Sequence, residues 1–461
     1  MEGAPMVTSI SEKASSNNEF QLAVGILEDF VREVCSRGDE SLDYLVFERK
    51  LRELLVNVER VCHERVLKSL DDLGPQVEYE NKIYKSCSHV AKTYRTLAGP
   101  VKINRTLYRQ ADIRNGPTLD AVSIRAGLVE GTWTPAAASA MAYLLQLGTS
   151  REAQQVGAEL GCLPYSRSSF ERVGHSLGEA HVQHAEMIQE HVQKNLIVPE
   201  DACSVAISID RTSVPMEEIA EDGEHVERKY RMAYCASISL NDEKGEALKV
   251  LRYARMPMLG TEALTETIKS DLRCILEEKA DLRVVLLADC AKDMWRLMGE
   301  SVEGLVDPLE RHHVVDFWHL AEKLGLAIEE LDAENEQHQF SLEEWKFRLL
   351  NDEGAVNEII KELYPLGGTR AVDDAIIYMR KNKMKMNYAK TRALGLPVGS
   401  GNVEATCKLL ITQRLKRSGA RWKLQTGQHI LQMRALALNG HWSVANRALF
   451  SALSSAKVRA A

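Results

Sequence analysis

The sequence predicts an α/β protein in which a mixed β-sheet is accompanied by several helical regions. From residue 203 onward, short apolar runs typical of strands alternate with segments whose apolar residues recur every three or four positions, as in amphipathic helices. The same helical periodicity fills 19–70 and 134–195. With 461 residues, of which 45% are hydrophobic and 27% charged, the chain has the composition of an ordinary globular protein of about three domains.

The first part of the chain changes character near residue 76. We expect a helical N-terminal region at 1–75 and a small basic β module at 76–133. Within the module, the break at Ala98-Gly99-Pro100 separates two segments of alternating polarity, as in a β-hairpin.

Residues 134–200 are expected to be helical, with a break at 161–164 between two short helices. This spacing is compatible with a helix-turn-helix whose second helix presents Arg167 and Arg172 to DNA. Two short helices joined by a turn are more often simple packing, so both interpretations stay open.

The segment from 203 onward predicts a sheet of a particular strand order. Its elements are strands 203–210, 231–240 and 247–256, helix 261–280, strand 283–289, helix 290–300 and strand 311–317. Three strands of a meander, a crossover helix and two further strands separated by a helix are the order of the ribonuclease-H-like fold, in which the first and fourth strands are neighbours. We therefore predict a ribonuclease-H-like core from 201 to 317, followed by helical residues at 318–395, a further helical pair at 396–440 and a C-terminal tail at 441–461.

Three acidic residues are the candidate catalytic groups of this core. Asp210 and Asp289 close the first and fourth predicted strands, at the sheet edge where a site can be built. Neighbouring carboxylates repel each other unless a cation lies between them, and Mg²⁺ prefers oxygen ligands of this kind. Glu404 is the candidate third ligand, because it is the only acidic residue after Asp374. The alternative is that both aspartates only cap the elements that follow them.

Four strings in this region resemble a known family. They are SIDRTSVPMEE (208–218), LLADCAKDMW (286–295), VVDFWHLAEKL (314–324) and GLPVGSGNVEATCKLLITQRLKRSGARWK (395–423). They are similar to the Kra-type insertion-sequence (ISKra) transposases of bacteria, which are Asp-Asp-Glu DNA transposases. The resemblance extends in order from about residue 81 to 447. It implies a ribonuclease-H-like catalytic core at 201–317 and 396–440 with a helical insertion at 318–395. It also implies that Asp210, Asp289 and Glu404 hold two Mg²⁺ ions, for which Mn²⁺ can substitute. With these ions the protein would cleave transposon ends and transfer the DNA strands into a target.

The sequence departs from the family in two places. Family members usually carry paired cysteines in the β module that resemble a zinc ribbon, whereas this region retains only Cys87, and Cys87 with His89 cannot complete a tetrahedral site. We therefore expect no zinc, and a β module that is a degenerate zinc ribbon. The second departure is Cys290 in place of the usual glycine after Asp289, which leaves the carboxylate in position.

Residues near the fifth strand are possible auxiliary groups. Asp316 and His319 are candidates for a fourth ligand or a proton shuttle, although a capping aspartate and a surface histidine is the commoner arrangement. Trp295 and Trp318 could stack on a DNA base, but large aromatic side chains near strand ends mostly belong to the core.

Basic residues are concentrated in two blocks. Residues 370–425 and 81–130 have net charges of +10 and +6, which leaves −24 on the rest of a chain whose formal net charge is −8. Such blocks on an acidic body are typical of a surface that binds a polyanion, although a solvated basic face gives the same count. The predicted DNA-binding residues near Glu404 are Lys408, Arg414, Lys416, Arg417, Arg421 and Lys423.

The apolar runs and the cysteine pattern indicate where the protein is located in the cell. The chain has no apolar run of the roughly 20 residues that cross a bilayer, and its nine cysteines are scattered without a C-x-x-C pair. We expect a cytoplasmic bacterial protein whose partners are transposon ends and target DNA, with no membrane association. Since two ends must be brought together, a homo-oligomer is expected. The alternatives are a ribonuclease-H-like nuclease that only hydrolyses, and a catalytically silent, domesticated DNA-binding protein.

Overall fold

The computed structural model describes residues 5–37, 41–71, 73–220, 225–333, 340–454 and 457–461. The other positions lie outside the described residues; they fall in the predicted N-terminal region, core, insertion and tail, and include none of the predicted site residues. The described chain forms two compact units, residues 1–189 with 443–461, and residues 190–442. No helix in the described ranges combines the length and the apolar character that crossing a membrane requires.

The elements of the first 193 residues are helices and antiparallel strands. They are α1 Pro5–Cys35, α2 Tyr44–Ser69, β1 Gln76–Tyr79, β2 Lys82–Thr96, β3 Gly99–Gln110, β4 Thr118–Asp120, α3 Ala121–Arg125, α4 Pro135–Leu147, α5 Ser150–Glu159, α6 Arg167–Gln183 and α7 Ala185–Gln193.

In its described residues, the following region contains five strands and two α-helices as far as residue 315, and afterwards it consists of helical segments and the short strand β10. Its elements are β5 Ser204–Ile219, β6 Val226–Asn241, β7 Ala247–Arg255, α8 Glu262–Glu278, β8 Arg283–Ala288, α9 Lys292–Ser301, β9 His312–Val315, α10 Phe317–Ala333, α11 Leu342–Asn351, α12 Ala355–Leu363, α13 Arg370–Asn382, α14 Tyr388–Ala393, α15 Gly401–Thr406, a π-helical segment Cys407–Thr412, α16 Gln413–Leu415, α17 Leu424–Leu438, α18 Trp442–Ser454 and β10 Arg459–Ala460.

The first unit contains an antiparallel sheet with the strand order β10-β1-β2-β3-β4 among the described residues. The predicted hairpin is confirmed: Thr96 pairs with Gly99 at its end, and Gly99 has φ +113°, a conformation that favours glycine. The predicted C-terminal tail supplies α18 and β10, and β10 adds to the sheet because Glu78 pairs with Arg459. The tail is therefore part of the first unit.

Asp120 is the polar centre of the first unit. Its carboxylate accepts hydrogen bonds from the ammonium of Lys92 at 2.7 Å, the guanidinium of Arg105 at 3.0 Å and the hydroxyl of Ser123 at 2.7 Å. Burial alone raises the pKa of Asp120, but the bonds from Lys92 and Ser123 outweigh burial and hold the pKa below its ordinary value.

The second unit is built on a mixed sheet with the strand order β7-β6-β5-β8-β9 in the described chain. Strands β5, β6 and β7 are antiparallel neighbours, while β5 with β8 and β8 with β9 are parallel. The meander and the predicted contact between the first and fourth strands are confirmed. The apolar run of β8 suits its position, because a parallel central strand is buried on both faces.

The predicted end of the first strand of this sheet is wrong. We expected the first strand to end at Asp210, but β5 continues to Ile219 and stays paired with β6 down to Val226. The polar residues after Asp210 are tolerated because the antiparallel partner satisfies their backbone groups. The parallel pairing with β8 is shorter and is last formed between Ile207 and Leu286, so β5 extends beyond its parallel neighbour.

Two apolar cores cover the two faces of this sheet. Alternate residues of β5 and β8 enter different cores: Ala206, Val285 and Leu287 pack with α10 and the helices after it, whereas Ile207 and Leu286 pack with α8 and α9. The predicted insertion at 318–395 is helical in its described parts and buries its apolar residues in the first of these cores.

Candidate functional site

Asp210 of β5 and Asp289, the residue after β8, each lie three residues beyond the last parallel pair of these neighbouring strands. Ile207 of β5 is paired with Leu286 of β8. Asp210 and Asp289 each lie three residues after this pair, so the register places them at the same level. Adjacent strands lie about 4.8 Å apart. Asp289 directly follows β8, which ends at Ala288, one residue before the end of the predicted strand 283–289.

Both carboxylates belong to the same face of the sheet. Side chains alternate between the two faces of a sheet along a strand. Asp210 is therefore on the same face as Ala206, and Asp289 is on the same face as Val285 and Leu287. These three apolar residues pack in the core that contains α10. The two acidic residues therefore face the side of the sheet that carries α10.

Each aspartate has one oxygen held by a backbone N–H group. Oδ1 of Asp210 accepts from the N–H of Arg211 at 2.7 Å, and Oδ1 of Asp289 accepts from that of Ala291 at 2.9 Å. Trp295 donates its indole N–H to the carbonyl of Asp289 at 2.7 Å. Both side chains are half-buried, and no lysine or arginine among the described residues forms an ion pair with either.

Cys407 links the helix of Glu404 to the first aspartate. Its thiol donates to Oδ2 of Asp210 across 3.7 Å, and it lies three residues, or about one helical turn, after Glu404. Cys235, the partner of Asp210 across β5 and β6, is buried beside Cys407. Burial raises the pKa of the Cys235 thiol well above its usual value, and Cys407 and Asp210 raise it further.

The segment that leads to Glu404 is fixed by Asp316. This side chain is fully buried; one oxygen accepts from the N–H of His319 at 2.9 Å and the other from the N–H of Ser400. The N–H of Phe317 also donates to the carbonyl of Val398 at 2.9 Å. Asp316 thus caps α10 and anchors the start of α15. Since backbone donors occupy both oxygens, its geometry fits capping better than the alternative role of a fourth ligand.

His319 is the predicted auxiliary residue that lies near the candidate site. Its Nε2 is 3.9 Å from Oε1 of Glu404, and both side chains are accessible, at 41% and 54%. When protonated, the imidazole forms an ion pair with Glu404.

The three acidic residues do not form a closed ligand shell. Within the described ranges, no group of three His, Cys, Asp or Glu side chains stands in position to hold a metal ion. The geometry brings Asp210 level with Asp289, and Cys407 brings the Glu404 helix to Asp210. Carboxylate oxygens without a lysine or arginine counter-ion fit Mg²⁺ in their chemistry, because this ion takes one or two carboxylates and keeps several waters.

The predicted DNA-binding residues differ in accessibility. Lys408 and Arg421 are exposed, and Lys423 is 73% exposed, with its ammonium 3.8 Å from Glu217. Lys416 and Arg417 are half-buried, and Lys416 donates to the hydroxyl of Thr212 at 2.6 Å. Thr212 lies two residues after Asp210 on the same face of β5, so Lys416 brings positive charge next to the site.

Arg414 does not fit its predicted role. It is 5% exposed, and its guanidinium carbon lies 4.9 Å from the centre of the Trp422 ring. Trp422 in turn is bonded to β5 through the carbonyl of Pro215 at 3.0 Å. A buried cation stacked on an aromatic ring supports the fold of this segment, so the expected phosphate contact is inconsistent with its burial.

The two arginines of the possible helix-turn-helix are engaged at the surface. Arg167 pairs with Glu171 at 3.1 Å and Arg172 with Glu130 at 3.1 Å. The connection between α5 and α6 spans residues 160–166, longer than the turn of three or four residues in DNA-binding helix pairs. These features favour packing over a DNA-reading helix.

The remaining predicted residues have separate environments. The thiol of Cys87 donates to the carbonyl of Leu107 at 3.1 Å, and His89 contacts the hydroxyl of Thr106 at 3.4 Å. Trp318 is 59% exposed, and a Cβ atom on Gly399 would lie 2.8 Å from its ring, so glycine is needed there. Trp295 is half-buried beside Asp289.

The sequence analysis missed Cys407. The available signal was its position one helical turn after Glu404, which places both on the helix that faces Asp210.

Comparisons with known proteins add no family assignment. No protein-family model matches the chain, and no curated protein sequence matches it.

Proposed function

We propose that this chain is a Mg²⁺-dependent DNA transposase of the Asp-Asp-Glu class, related to the ISKra-type transposases and built on a ribonuclease-H-like core. The observation that carries the proposal is the common level and common face of Asp210 and Asp289, with the helix of Glu404 docked against Asp210 through Cys407.

Two features of the second unit support the fold assignment. Its strand order, a three-stranded meander whose first strand is parallel to the fourth, is that of a ribonuclease-H-like sheet. The helices between β9 and α15 correspond to the insertion that the family resemblance implies.

In this proposal the three carboxylates would hold the ions, and basic side chains would hold the DNA. Bound Mg²⁺ would supply Lewis-acid stabilisation of phosphoryl oxygens and lower the pKa of a bound water. Asp316 keeps the Glu404 helix in place, and His319 carries positive charge next to Glu404 when protonated. Lys408, Arg421 and Lys416 would offset the repulsion between the phosphates and the acidic residues.

The partners follow from the same chemistry. A transposase joins two element ends to a target, so we infer that the chain acts as a homo-oligomer on transposon ends and target DNA in the bacterial cytoplasm.

The proposal is tested by incubating the protein with labelled DNA from the flanks of its gene and Mg²⁺. Strand-joined products are expected. Cleaved ends without joining would indicate a hydrolytic nuclease, and binding without cleavage would indicate a silent DNA-binding protein.

Substitution of the three acidic residues tests their roles in the same assay. Asp210→Asn, Asp289→Asn and Glu404→Gln should each abolish cleavage and joining, because each replaces a charged ligand with a neutral group of the same shape. Asp293→Asn is the matched control, since Asp293 lies on α9 and pairs with Arg211 at 2.7 Å. Any of the three variants that keeps activity within about tenfold of the parent, or about 1.4 kcal/mol, contradicts the role of that residue.

A further inference from the structure

One helix of the candidate site contains a π-helical segment. The helix extends over 401–415 and changes from α15 to the π segment and then to α16 without a break. At the end of the π segment, the N–H of Gln413 donates to the carbonyl of Lys408, five residues earlier. In an α-helix the same N–H would donate to Leu409, four residues earlier. The π segment therefore deprives the Leu409 carbonyl of its usual helical donor.

Arg434 of α17 supplies a donor to that carbonyl. Its Nε donates to the carbonyl of Leu409 at 2.6 Å, and its guanidinium also donates to the side-chain oxygen of Gln413 at 3.3 Å. The side chain of Arg434 is 5% exposed. Burial removes the hydration of a cation, so the N–H groups must find acceptors inside the protein. Arg434 therefore stabilises the π form of this segment, because an uninterrupted α-helix would already occupy the Leu409 carbonyl.

The position of Arg434 is fixed, because α17 is bonded to the edge strand β7. Oε1 of Gln428 accepts from the N–H of Met256, the residue after β7, at 3.0 Å. Asn439, which follows α17, accepts from the N–H of Arg252 at 2.9 Å and donates to its carbonyl at 3.0 Å. These bonds lie before and after Arg434 along α17. The helix thus connects the edge of the sheet to the π segment.

The π segment sets the rotation of Glu404 about the helix axis. It contains one more residue than the α-helical turn that it replaces, so it turns the residues before it by about 100° relative to those after it. The later residues are held on the sheet, because Arg414 lies 4.9 Å from the Trp422 ring, and Trp422 is bonded to the backbone of β5 at 3.0 Å. The earlier residues include Cys407, whose thiol donates to Asp210 across 3.7 Å. Loss of the π segment would therefore turn Glu404 away from the first aspartate.

We propose that Arg434 is a positioning residue for Glu404, an inference that rests on the proposed function. By occupying the Leu409 carbonyl, Arg434 keeps the π segment, and the π segment keeps the Glu404 carboxylate on the side of the helix that faces the sheet site. Since Arg434 is buried, it acts through the backbone of the helix and is not expected to contact DNA.

Titration with Mn²⁺ in the presence of duplex DNA, followed by electron paramagnetic resonance, tests this role. Arg434→Met keeps an unbranched, buried side chain but removes the donors, so it should weaken Mn²⁺ binding by about tenfold, as expected for one unsatisfied buried acceptor. Gln428→Met is the matched control, because it loosens α17 from β7 and leaves Arg434 in place. The control should keep the parental affinity. In a Glu404→Gln background, Arg434→Met should have no further effect, since it acts through Glu404.

Hydrogen exchange of the metal-free protein gives a second measurement. In Arg434→Met, the amides of residues 404–413 should exchange about tenfold faster or more, while those that join β5 to β6 keep the parental rate. If Arg434→Met does not fold, Arg434→Lys takes its place, because it keeps the cation and loses the bond to Gln413. Arg434→Lys should weaken Mn²⁺ binding by about threefold.

The outcomes distinguish this role from the proposed function. If Glu404→Gln binds Mn²⁺ as tightly as the parent, the metal site fails, and the role of Arg434 fails with it. If Glu404→Gln weakens binding but a folded Arg434 variant keeps the parental affinity, the metal site stands and the positioning role is refuted, even where exchange is faster. Equal losses of affinity in Arg434→Met and Gln428→Met would also refute it, because they would show a general effect of α17.

Discussion

At the residue scale, the main finding is how a buried aspartate positions an exposed glutamate. Asp316 accepts one backbone hydrogen bond from α10 and one from Ser400, the residue before α15. Glu404 itself is exposed and lies in the first turn of that helix. The site therefore depends on a residue that is not expected to contact the substrate.

Asp316→Asn should weaken both stability and activity. The amide keeps one acceptor oxygen but places an NH₂ group against the second backbone donor, which costs about 1–3 kcal/mol in the free energy of unfolding. Urea unfolding measures this loss, and the cleavage assay should show a lower rate. Asp307→Asn is the control, because Asp307 accepts from the N–H of Leu309 at 2.8 Å in an exposed turn. Equal stability losses in the two variants would contradict the anchoring role of Asp316.

Residue types placed Asp289 near the end of its strand, but they did not reveal the burial of Arg414. An aspartate that follows an apolar strand lies where the chain leaves the core, so the position of Asp289 could be predicted from the sequence. The burial of Arg414 could not, because it depends on Trp422 folding back onto β5. Likewise, the pairing of Lys385 with Trp295 joins residues 90 positions apart and leaves no local pattern in the sequence.

At the element scale, the basic segment from Lys408 to Lys423 has an outer and an inner set of residues. The double substitution Lys408→Gln with Arg421→Gln removes two exposed charges. The log–log salt slope of DNA binding should fall in magnitude by about 0.9 for each phosphate that is no longer neutralised. The melting temperature should not change. Arg414→Gln should do the reverse and lower the melting temperature, since it removes a cation–π contact worth about 0.5–2 kcal/mol. Salt titrations and thermal unfolding of both variants are the measurements. A parental slope in the exposed-charge variant would remove this surface from the DNA path.

The β module gives a prediction about pH. The pKa of Asp120 is below its ordinary value of 3.8 in the folded protein, so the unfolded state binds the proton more tightly. The stabilisation is therefore complete above about pH 3.8 and is lost as pH falls through the lower, folded pKa. Unfolding of the parent and of Asp120→Asn, followed between pH 2 and 6 by hydrogen exchange of the β2–β3 hairpin, should show this dependence only in the parent. The same dependence in Asp120→Asn would mean that other carboxyl groups cause it.

The order of elements could be predicted more reliably than their ends. Apolar runs and helical periodicity gave the five strands of the second sheet and its crossover helices, because both patterns are local. The length of β5 was underestimated, since the residues after Asp210 are polar and are held in a strand only by pairing with β6. The π-helical segment Cys407–Thr412 also has no sequence signature; the carbonyl of Leu409 within it accepts from Arg434 of α17 at 2.6 Å.

At the scale of the whole molecule, the regions predicted from the sequence are grouped into two compact units. The last residues pair with β1, and the first unit combines residues 443–461 with residues 1–189. The two-residue strand β10 pairs with β1, which is distant in sequence, so no local pattern could predict this pairing. In contrast, both the predicted core and the predicted insertion lie in the second unit.

The purified protein should contain no stoichiometric zinc. Cys87 and His89 of the β module are bonded to Leu107 and Thr106, and the module contains no other cysteine or histidine. A structural zinc site needs four such ligands. Elemental analysis measures the metal content, and one tightly bound zinc per chain would mean that cysteines distant in sequence assemble a site.

In the proposed function, Asp210, Asp289 and Glu404 act together on one set of metal ions. Titration of the protein with Mn²⁺, followed by electron paramagnetic resonance in the presence of duplex DNA, tests this claim most directly. We predict that the parent and Asp293→Asn bind Mn²⁺ equally, and that Asp210→Asn, Asp289→Asn and Glu404→Gln each weaken binding by about tenfold or more, or about 1.4 kcal/mol. Parental affinity for Mn²⁺ in any of these three variants would contradict a shared site.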